Sequence, residues 1–592
     1  NGVYYTLNKK DYFITASFGS TYSKILIFRV ENNQLVFVNQ FGIPGRDMSI
    51  RIGKKMTDLK ADNLKSFSST AGGAYFSVLA NGTIIVPVNI KQGNLKGLMT
   101  IDFNRFIAQY PNEQKTIEDK ETFVKIYGSK LDEEKNTETE YINAAMPYDL
   151  NRIWLTSSTA KVILLDMRYP SQALLYDMNT DTIPAIKEEK DAMVEKLKES
   201  FNEQFTNNGS EHQGSYPFTF YNDNWTQIKS IPANMGKYKK CVTKRFKNNA
   251  SKCTCYDPRN PADVEKYNFT KEYILKKIYY NNKLKFTIKK PTYTRFQDHV
   301  IQNSFAVDGD GAAYVVTNFK MCKFTLERNE VKLKWSELYN TGFLDMPGHV
   351  KASSGTTPTV FGNYVAITDN AFPILHLNVY NKTSGKLYGT QEVFKENHGA
   401  CENSVVVLSD NDTNGYVQHS LMLGNSFGYM YAFDDVNYTH GGLEKYLFSE
   451  DSTDKKKFQK LVPDIKFNST TKNNYIDIKT ATPKMNIHDG GIVYMYNKQR
   501  SNAATNKYAN WQLTALDYTS GNEVYSVIPS VNKGTFKDPS FKFLSRAFSC
   551  GNKNYEQKIF DNIWGTFSQT QNGGFIVATL RGFIFMPNQS KK

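Results

Sequence analysis

A strand–turn–strand unit that recurs along the chain constrains the fold more than any other feature. Its clearest copy is LTALDYTSGNEVYSV at residues 513–527, where apolar and polar residues alternate on both sides of an Asp-Tyr-Thr-Ser-Gly turn. A second copy, LNVYNKTSGKLYGTQEVF, covers residues 377–394. Alternation with a period of two is typical of a half-buried strand, and Gly, Asn or Asp between two such strands indicates a hairpin. The sequence therefore predicts repeated antiparallel hairpins.

These units recur about every 40 to 50 residues, which is the spacing of four-stranded β-propeller blades. They cover residues 3–41, 74–110, 152–178, 304–339, 351–394, 402–448, 482–528 and 563–587. We therefore predict an all-β fold, a β-propeller of four-stranded antiparallel sheets with eight blades. Seven blades is the alternative count.

The strand pattern lapses at residues 182–299, which divides the chain into three parts. Residues 1–181 are predicted to form blades 1–3, residues 182–299 an insertion, and residues 300–592 blades 4–8. The insertion opens with apolar residues at helical spacing, which predicts an amphipathic helix; they are Ile186, Met193, Leu197, Phe201 and Phe205. A polar, Cys-containing loop follows. The insertion could cap the ring, bind a partner or simply pack against the blades.

The chain carries a net charge of +15, but its basic residues are scattered. The denser groups, at residues 237–247 and 454–460, fall in predicted loops, where a solvated surface is the first interpretation. Attraction to anionic glycans or another acidic surface is the second. No nucleic-acid-binding motif accompanies the charge, so nucleic acid is not a predicted partner. The longest apolar runs, such as VILLDM at residues 162–167, are too short to span a bilayer.

Two features predict a secreted, extracellular or cell-surface protein. The chain begins at Asn1 and not at Met, which we interpret as cleavage of a secretory signal. It also carries ten Asn-X-Ser/Thr sequons, six of them in predicted turns or in the polar insertion, which makes a glycoprotein the expectation. These sites are Asn81, Asn208, Asn224, Asn249, Asn268, Asn381, Asn411, Asn437, Asn468 and Asn588.

The six cysteines are an even number, which fits disulfide formation in an oxidising compartment. Cys241, Cys253 and Cys255 are close enough in sequence for a local bridge. A Cys-X-Cys pair with one further Cys could bind zinc instead, although no His or second pair lies nearby at zinc spacing. The remaining candidates, which could form other bridges or stay as small buried side chains, are Cys322, Cys401 and Cys550. We assign no pairing.

The common catalytic strings, such as GxSxG, a Walker loop or HExxH, are missing from the sequence. Short polar strings instead follow or precede the predicted inner strands, whose side chains converge on the central channel of a propeller. Carboxylate and amide oxygens there would suit a hard cation such as calcium. The candidate channel residues are Asp369, Asn370, Glu402, Asn403, Asn425, Asp561 and Asn562. Alternatively, these residues shape turns and bind buried backbone groups between blades.

The strings AVDGDGAAYVVTN, SSGTTPTVFGNYVAITDNAFPILHLNVY, CENS, NSFGY and LTALDYTSGNEVYSV resemble a little-characterised group of secreted bacterial propeller proteins with repeats of the pyrroloquinoline-quinone type. The resemblance covers residues 304–587. It implies a propeller fold and secretion, and it implies no particular reaction. The chain departs from quinone-dependent dehydrogenases in two ways: it has no adjacent Cys-Cys pair, and Tyr525 stands where Trp is usual. Quinone binding is therefore not predicted.

Two functional hypotheses follow. In the first, the chain is a secreted binding or structural module that contacts an extracellular protein, a glycan or further copies of itself, as in a surface matrix or filament. In the second, it is a calcium-assisted hydrolase or lactonase with Asp369, Glu402, Asn403 and Asp561 near the ion. The first hypothesis needs no cofactor and is preferred, whereas the second requires calcium.

Overall fold

The computed structural model describes the residues that form the strands and many of their connections. They are residues 2–18, 23–31, 34–42, 77–79, 82–90, 95–104, 116–117, 126–127, 142–169, 173–179, 238–245, 251–256, 275–280, 283–289, 299–340, 354–371, 374–394, 399–411, 417–425, 442–449, 460–464, 475–480, 491–499, 511–528, 567–569, 574–579 and 582–586.

The strands before residue 300 are β1 (Gly2–Leu7), β2 (Lys10–Phe18), β3 (Ser23–Glu31), β4 (Gln34–Gly42), β5 (Ser77–Val78), β6 (Thr83–Ile90), β7 (Leu95–Asp102), β8 (Thr116–Ile117), β9 (Ile126–Tyr127), β10 (Ile142–Pro147), β11 (Arg152–Ser157), β12 (Lys161–Asp166), β13 (Leu174–Asp177), β14 (Tyr238–Arg245), β15 (Ser251–Tyr256), β16 (Leu275–Tyr280) and β17 (Lys283–Lys289).

The strands after residue 300 are β18 (Ala306–Val307), β19 (Ala313–Val316), β20 (Lys320–Glu327), β21 (Glu330–Leu338), β22 (Thr359–Phe361), β23 (Tyr364–Thr368), β24 (Leu375–Asn381), β25 (Leu387–Val393), β26 (Val406–Asn411), β27 (Val417–Gly424), β28 (Leu443–Ser449), β29 (Lys460–Pro463), β30 (Tyr475–Thr480), β31 (Ile492–Gln499), β32 (Trp511–Asp517), β33 (Glu523–Val527), β34 (Phe567–Gln569), β35 (Phe575–Thr579) and β36 (Gly582–Met586).

Six sheets contain four consecutive strands in simple antiparallel order, which is the order of a propeller blade. They are β1–β4, to which β8 adds a parallel edge, and then β10–β13, β18–β21, β22–β25, β26–β29 and β30–β33. The all-β propeller class predicted from the sequence is confirmed.

The predicted counts of eight and seven blades are wrong, because six described sheets have the blade order. Residues 74–110 contribute to the sheet β5-β6-β7-β9, whose outer strands β5 and β9 have two residues each. Residues 563–587 contribute to a sheet of three strands, β34–β36. A Gly-containing hairpin in the sequence marks two strands, and it does not reveal whether two more complete the sheet.

Both faces of the inner strands are buried against neighbouring sheets. On β19, Val315 packs in a cluster with Trp154 of β11, whereas the adjacent Tyr314 packs in a different cluster with Val365 of β23. Successive strand residues point to opposite faces, so β19 lies between two neighbouring blades. This explains why its sequence, AYVV, is apolar throughout and does not alternate.

The third and fourth strands of several blades share a local irregularity. The pairing register shifts between Ile27 and Phe28 in the first blade, and it shifts at the equivalent place in three others. Those shifts lie between Lys323 and Phe324, between Val379 and Tyr380, and between Ala515 and Leu516. A bulge increases the local twist of a sheet. Its recurrence shows that the repeat extends to backbone geometry.

Part of the insertion is also a sheet, formed by β14–β17 in the order β15-β14-β16-β17. The amphipathic helix predicted from Ile186 to Phe205 lies outside the described residues. Within the part of the chain that is described, no helix is long and apolar enough to cross a membrane.

Candidate functional site

Five of the seven predicted channel residues are described, and they lie in two neighbouring blades, β22–β25 and β26–β29. Asp369 and Asn370 directly follow β23, whereas Asn425 directly follows β27. Glu402 and Asn403 lie in the segment before β26. The other two, Asp561 and Asn562, lie outside the described ranges.

Asp369 organises the turn between β23 and β24. Its side chain is fully buried. Oδ1 accepts hydrogen bonds from the backbone N–H groups of Ala371 at 3.0 Å and His376 at 2.8 Å. Oδ2 lies 2.8 Å from Nδ1 of His376, which donates to it. The hydrogen bond to Asp369 raises the pKa of His376, against the opposing effect of partial burial.

Asn370 joins the two blades. Its φ of 52° is in the left-handed region, which Asn tolerates better than most residues. From the turn after β23, its Oδ1 accepts a hydrogen bond from the backbone N–H of Cys401 at 3.1 Å. Its Nδ2 donates to Oε1 of Glu402 at 3.4 Å. A buried side chain of one blade therefore holds the segment that begins the next.

Glu402 lies against Gly355, which occupies the matching segment before β22. A Cβ atom added to Gly355 would lie 2.1 Å from Oε2 of Glu402, so a larger residue at position 355 would displace the carboxylate. The Glu402 side chain is half-buried, whereas Asn370 beside it is fully buried. Glycine is thus required here for space and not for an unusual φ.

Asn425 has the same type of contact within its own blade. Its Oδ1 accepts a hydrogen bond from the backbone N–H of Ala400 at 3.0 Å. Asn318, which follows β19, likewise accepts from the backbone N–H of Val300 at 3.0 Å. Asn318 is not among the site residues predicted from the sequence. An Asn one or two residues after the second strand of a blade is the signal that could have found it.

The described amide and carboxylate oxygens are thus largely directed at backbone N–H groups. Such contacts are chemically suited to fixing turns and blade junctions, which is the alternative interpretation of these strings. Asn370 and Glu402 are also the two candidate calcium ligands that lie side by side. Among the residues described, no group of three or more His, Cys, Asp or Glu side chains is arranged to hold a metal ion.

A second set of polar contacts joins blades at the repeated turn. The turn Asn381-Lys382-Thr383-Ser384-Gly385 links β24 to β25. The carbonyl oxygen of Lys382 accepts hydrogen bonds from Nζ of Lys323 at 3.0 Å and from Nε1 of Trp335 at 3.2 Å, both in the preceding blade. Gly385, at φ 77°, lies on the Trp335 ring, and a Cβ there would be 2.7 Å from Cδ2.

The equivalent turn between β32 and β33 makes the equivalent contact. Nζ of Lys445, on β28, donates to the carbonyl oxygen of Tyr518 at 2.9 Å and lies 3.7 Å from the centre of the Tyr518 ring. Lys445 also pairs with Asp464 at 3.0 Å, and both side chains are buried. In the sequence, the Thr-Ser-Gly turn indicates only that the strand–turn–strand unit is repeated. The structure shows that it also docks on the preceding blade.

Asn381 and Asp517 give these two turns their shape. Oδ1 of Asn381 accepts from the backbone N–H groups of Thr383 at 2.9 Å and Ser384 at 2.8 Å. Oδ1 of Asp517 accepts from the hydroxyl and from the backbone N–H of Ser520, both at 2.6 Å, and these two hydrogen bonds lower the pKa of its carboxyl group. The short polar side chain stabilises the turn locally.

Two of the disulfide candidates, Cys322 and Cys401, are buried and form no disulfide. The Cys401 thiol donates to the carbonyl oxygen of Asn403 at 3.3 Å. Burial raises the pKa of Cys322 to about 12, so it remains a thiol. Both side chains fill the core as small buried residues, which is the second of the two alternatives predicted for them. Cys241 is the register partner of Cys255 across β14 and β15, where Thr243 is opposite Cys253. Cys550 is not among the described residues.

Two predicted glycosylation sites lie in the described parts of the chain. Asn381 is half-buried in its turn, and Asn411 ends β26. The remaining eight fall outside the described ranges: Asn81, Asn208, Asn224, Asn249, Asn268, Asn437, Asn468 and Asn588. Glycosylation at all ten stays a prediction.

No protein-family model and no curated protein matches this sequence. The chain is similar to a solved protein from Lactobacillus plantarum at 8% identity and a TM-score of 0.30, covering 88% of this chain and 94% of that one. A europium-containing methanol dehydrogenase matches at 9% identity and a TM-score of 0.20, covering 71% and 82%. The WD40 domain of SCAP from fission yeast matches at 9% and 0.26, covering 87% and 95%. Because these TM-scores are low, the assignment to the propeller class is based on the strand order of the sheets in this chain.

Proposed function

We propose that this propeller is a secreted, glycosylated binding or structural module that contacts an extracellular protein or glycan and assembles with further copies of itself. One observation carries the proposal: polar side chains near the predicted channel form hydrogen bonds to the protein's own backbone. Asn370 and Asn425 hold backbone segments in place, and Lys445 connects one blade to the next. Such contacts favour a rigid scaffold, on which loops can be presented to a partner.

The charge of the chain favours an acidic partner. A net charge of +15 attracts anionic glycans or acidic proteins over a distance set by the ionic strength. The proposed extracellular location is supported by the register of Cys241 and Cys255. Directly opposed strand residues have Cα atoms about 4.5 to 5.5 Å apart, which is within the range that a disulfide can bridge.

A calcium-assisted hydrolase or lactonase is the second candidate, and one observation favours it. Asn370 and Glu402, two of the predicted ligands, lie side by side, and Glu402 is not fully buried. The first candidate is better supported, because the single side-chain oxygen of Asn370 already accepts a hydrogen bond from the backbone N–H of Cys401, and its amide nitrogen faces Glu402.

The test is direct binding by the full chain, expressed through a secretory pathway. Immobilised protein is exposed to sulfated, carboxylated and neutral glycans and to extracellular proteins at low and high salt. We expect binding to anionic ligands that weakens as the salt concentration rises. Absence of binding to any ligand, together with calcium-dependent hydrolysis of ester or lactone substrates, would reverse the order of the two candidates.

A further inference from the structure

β33 is an edge strand that differs from the other outer strands. All five of its residues are exposed, and so is Ile528 after it. Val524, Tyr525, Val527 and Ile528 have exposed fractions of 55%, 41%, 48% and 56%. Among the described residues, they are the only exposed large apolar side chains that lie within five residues of one another. An exposed apolar edge offers unpaired backbone groups to another strand.

Other outer strands carry features that discourage pairing. β21 has Lys332 and Lys334 among its exposed residues and contacts β13 of the preceding blade. β29 begins with Lys460 and ends with Pro463, and it contacts β25. β33 carries one charge, on Glu523 at its first residue, and residues 524–528 read VYSVI. Charged residues, proline and bulges are the usual protection of an edge. Residues 524–528 contain no charge and no proline, and the bulge of this strand lies at its beginning, at Val524.

The segment is also complementary to itself. When two copies align antiparallel about Ser526, Tyr525 is opposite Val527 and Ser526 is opposite Ser526. Val524, at the bulge of β33, and Ile528, just after its end, flank these pairs. A cross-strand pair of an aromatic and a β-branched residue, such as Tyr525 with Val527, is favourable. A pair of hydroxyl residues, such as Ser526 with Ser526, is favourable as well. No charge lies inside this window, so two copies can approach without placing like charges opposite each other.

We propose that β33 pairs antiparallel with β33 of a second copy of this chain, with a two-fold axis at Ser526. This inference deepens the proposed function, on whose self-assembly it rests, by naming the surface. Five residues on each side bury much less than the roughly 1,200 Å² of a stable interface, so the dimer is weak and depends on concentration. Such a contact is suited to a matrix, where many weak contacts act together.

A cysteine at the proposed axis tests the register directly. In Ser526→Cys the two introduced thiols would be opposite each other and within disulfide range. Oxidised glutathione accepts the two electrons, so that its disulfide is reduced to two thiols as the new bond forms. We expect a reducible covalent dimer well above the level given by wild-type protein. The matched control is Leu387→Cys, which is also an exposed position on an outer strand, β25.

Charge substitutions at the same residue supply the second measurement, by sedimentation velocity at rising concentration. Ser526→Lys places like charges opposite each other, so we expect association about two- to fivefold weaker than in wild type. Ser526→Glu alone should have the same effect, whereas an equimolar mixture of the two variants should recover association.

The proposal is overturned if Ser526→Cys dimerises no more than Leu387→Cys, if the mixture stays monomeric, or if wild-type protein stays monomeric at every concentration. Glycan and protein binding by the same samples separates this failure from that of the proposed function. A monomer that still binds an anionic ligand leaves the binding module intact and removes only the β33 contact.

Discussion

Lys445 donates a hydrogen bond from Nζ to the carbonyl oxygen of Tyr518, at 2.9 Å, and so joins blade β26–β29 to blade β30–β33. Lys323 makes the same contact with Lys382 two blades earlier in the chain, at 3.0 Å. In both cases the acceptor is the second residue of an Asn/Asp-X-Thr-Ser-Gly turn. The repeated turn is therefore a docking element between blades as well as a hairpin.

Replacement of Lys445 by Met should destabilise the fold by about 3 to 5 kcal/mol, because it leaves the buried Asp464 carboxylate without its cation. Denaturant unfolding measures the change. Adding Asp464→Leu to this variant should recover part of the loss. The control is Lys332→Met, whose ion pair with Glu330 is exposed and should be worth less than about 1 kcal/mol. Equal effects of Lys445→Met and Lys332→Met would contradict the view that the buried Lys445–Asp464 ion pair stabilises the blades.

Gly385→Ala should lower stability by more than about 1 kcal/mol, because φ there is 77° and the new Cβ would meet the Trp335 ring. Gly309 is a matched control, since nothing lies within 4 Å of its Cβ position and its φ is not in the left-handed region. Gly309→Ala should be neutral or slightly stabilising. Thermal unfolding midpoints of the two variants give the comparison, and a neutral Gly385→Ala would show that the turn does not dock as described.

The stability contributed by His376 should fall as pH rises. Its pKa is raised by the hydrogen bond to Asp369, and Glu392 opposite it on β25 acts in the same direction. A group whose folded pKa lies above its unfolded value of about 6.5 stabilises the fold fully below that pH. The contribution then disappears as pH rises through the folded pKa.

The measurement is the difference in unfolding midpoint between wild type and His376→Gln at a series of pH values. We expect the difference to be largest at acidic pH and to shrink above about pH 6.5. A difference that does not change with pH, or one that grows as pH rises, would mean that His376 is not held as the cation by Asp369.

The sequence predicted the hairpins and their turns well, because alternation and the Thr-Ser-Gly string are local. It could not predict the blade count, since a hairpin such as β6–β7 carries no local signal for the strands that complete its sheet. Asp369 and Asn370 were predicted as channel residues from their place after a strand. That place reveals neither their burial nor their hydrogen-bond partners. Both are buried. Asp369 binds groups in its own turn, whereas the partners of Asn370, Cys401 and Glu402, belong to the next blade and are set by packing between segments that are distant along the chain.

Gly355 and Glu402 illustrate the same limit. Each precedes the first strand of its own blade, and nothing near either residue in the sequence refers to the other. Only the stacking of adjacent blades places the carboxylate where a Cβ at position 355 would be. Asn318 was missed for a related reason, because a single Asn after a strand is usually just a turn residue.

The most direct test of the scaffold account is a calcium titration of the unfolding midpoint, made on wild type, Glu402→Gln and Asn370→Ala. If the polar strings join blades, Asn370→Ala lowers the midpoint because the buried N–H of Cys401 loses its acceptor, at a cost of about 1 to 3 kcal/mol. Calcium then leaves all three midpoints unchanged. A calcium-dependent rise of the wild-type midpoint that Glu402→Gln abolishes would contradict the account and favour the metal-dependent enzyme.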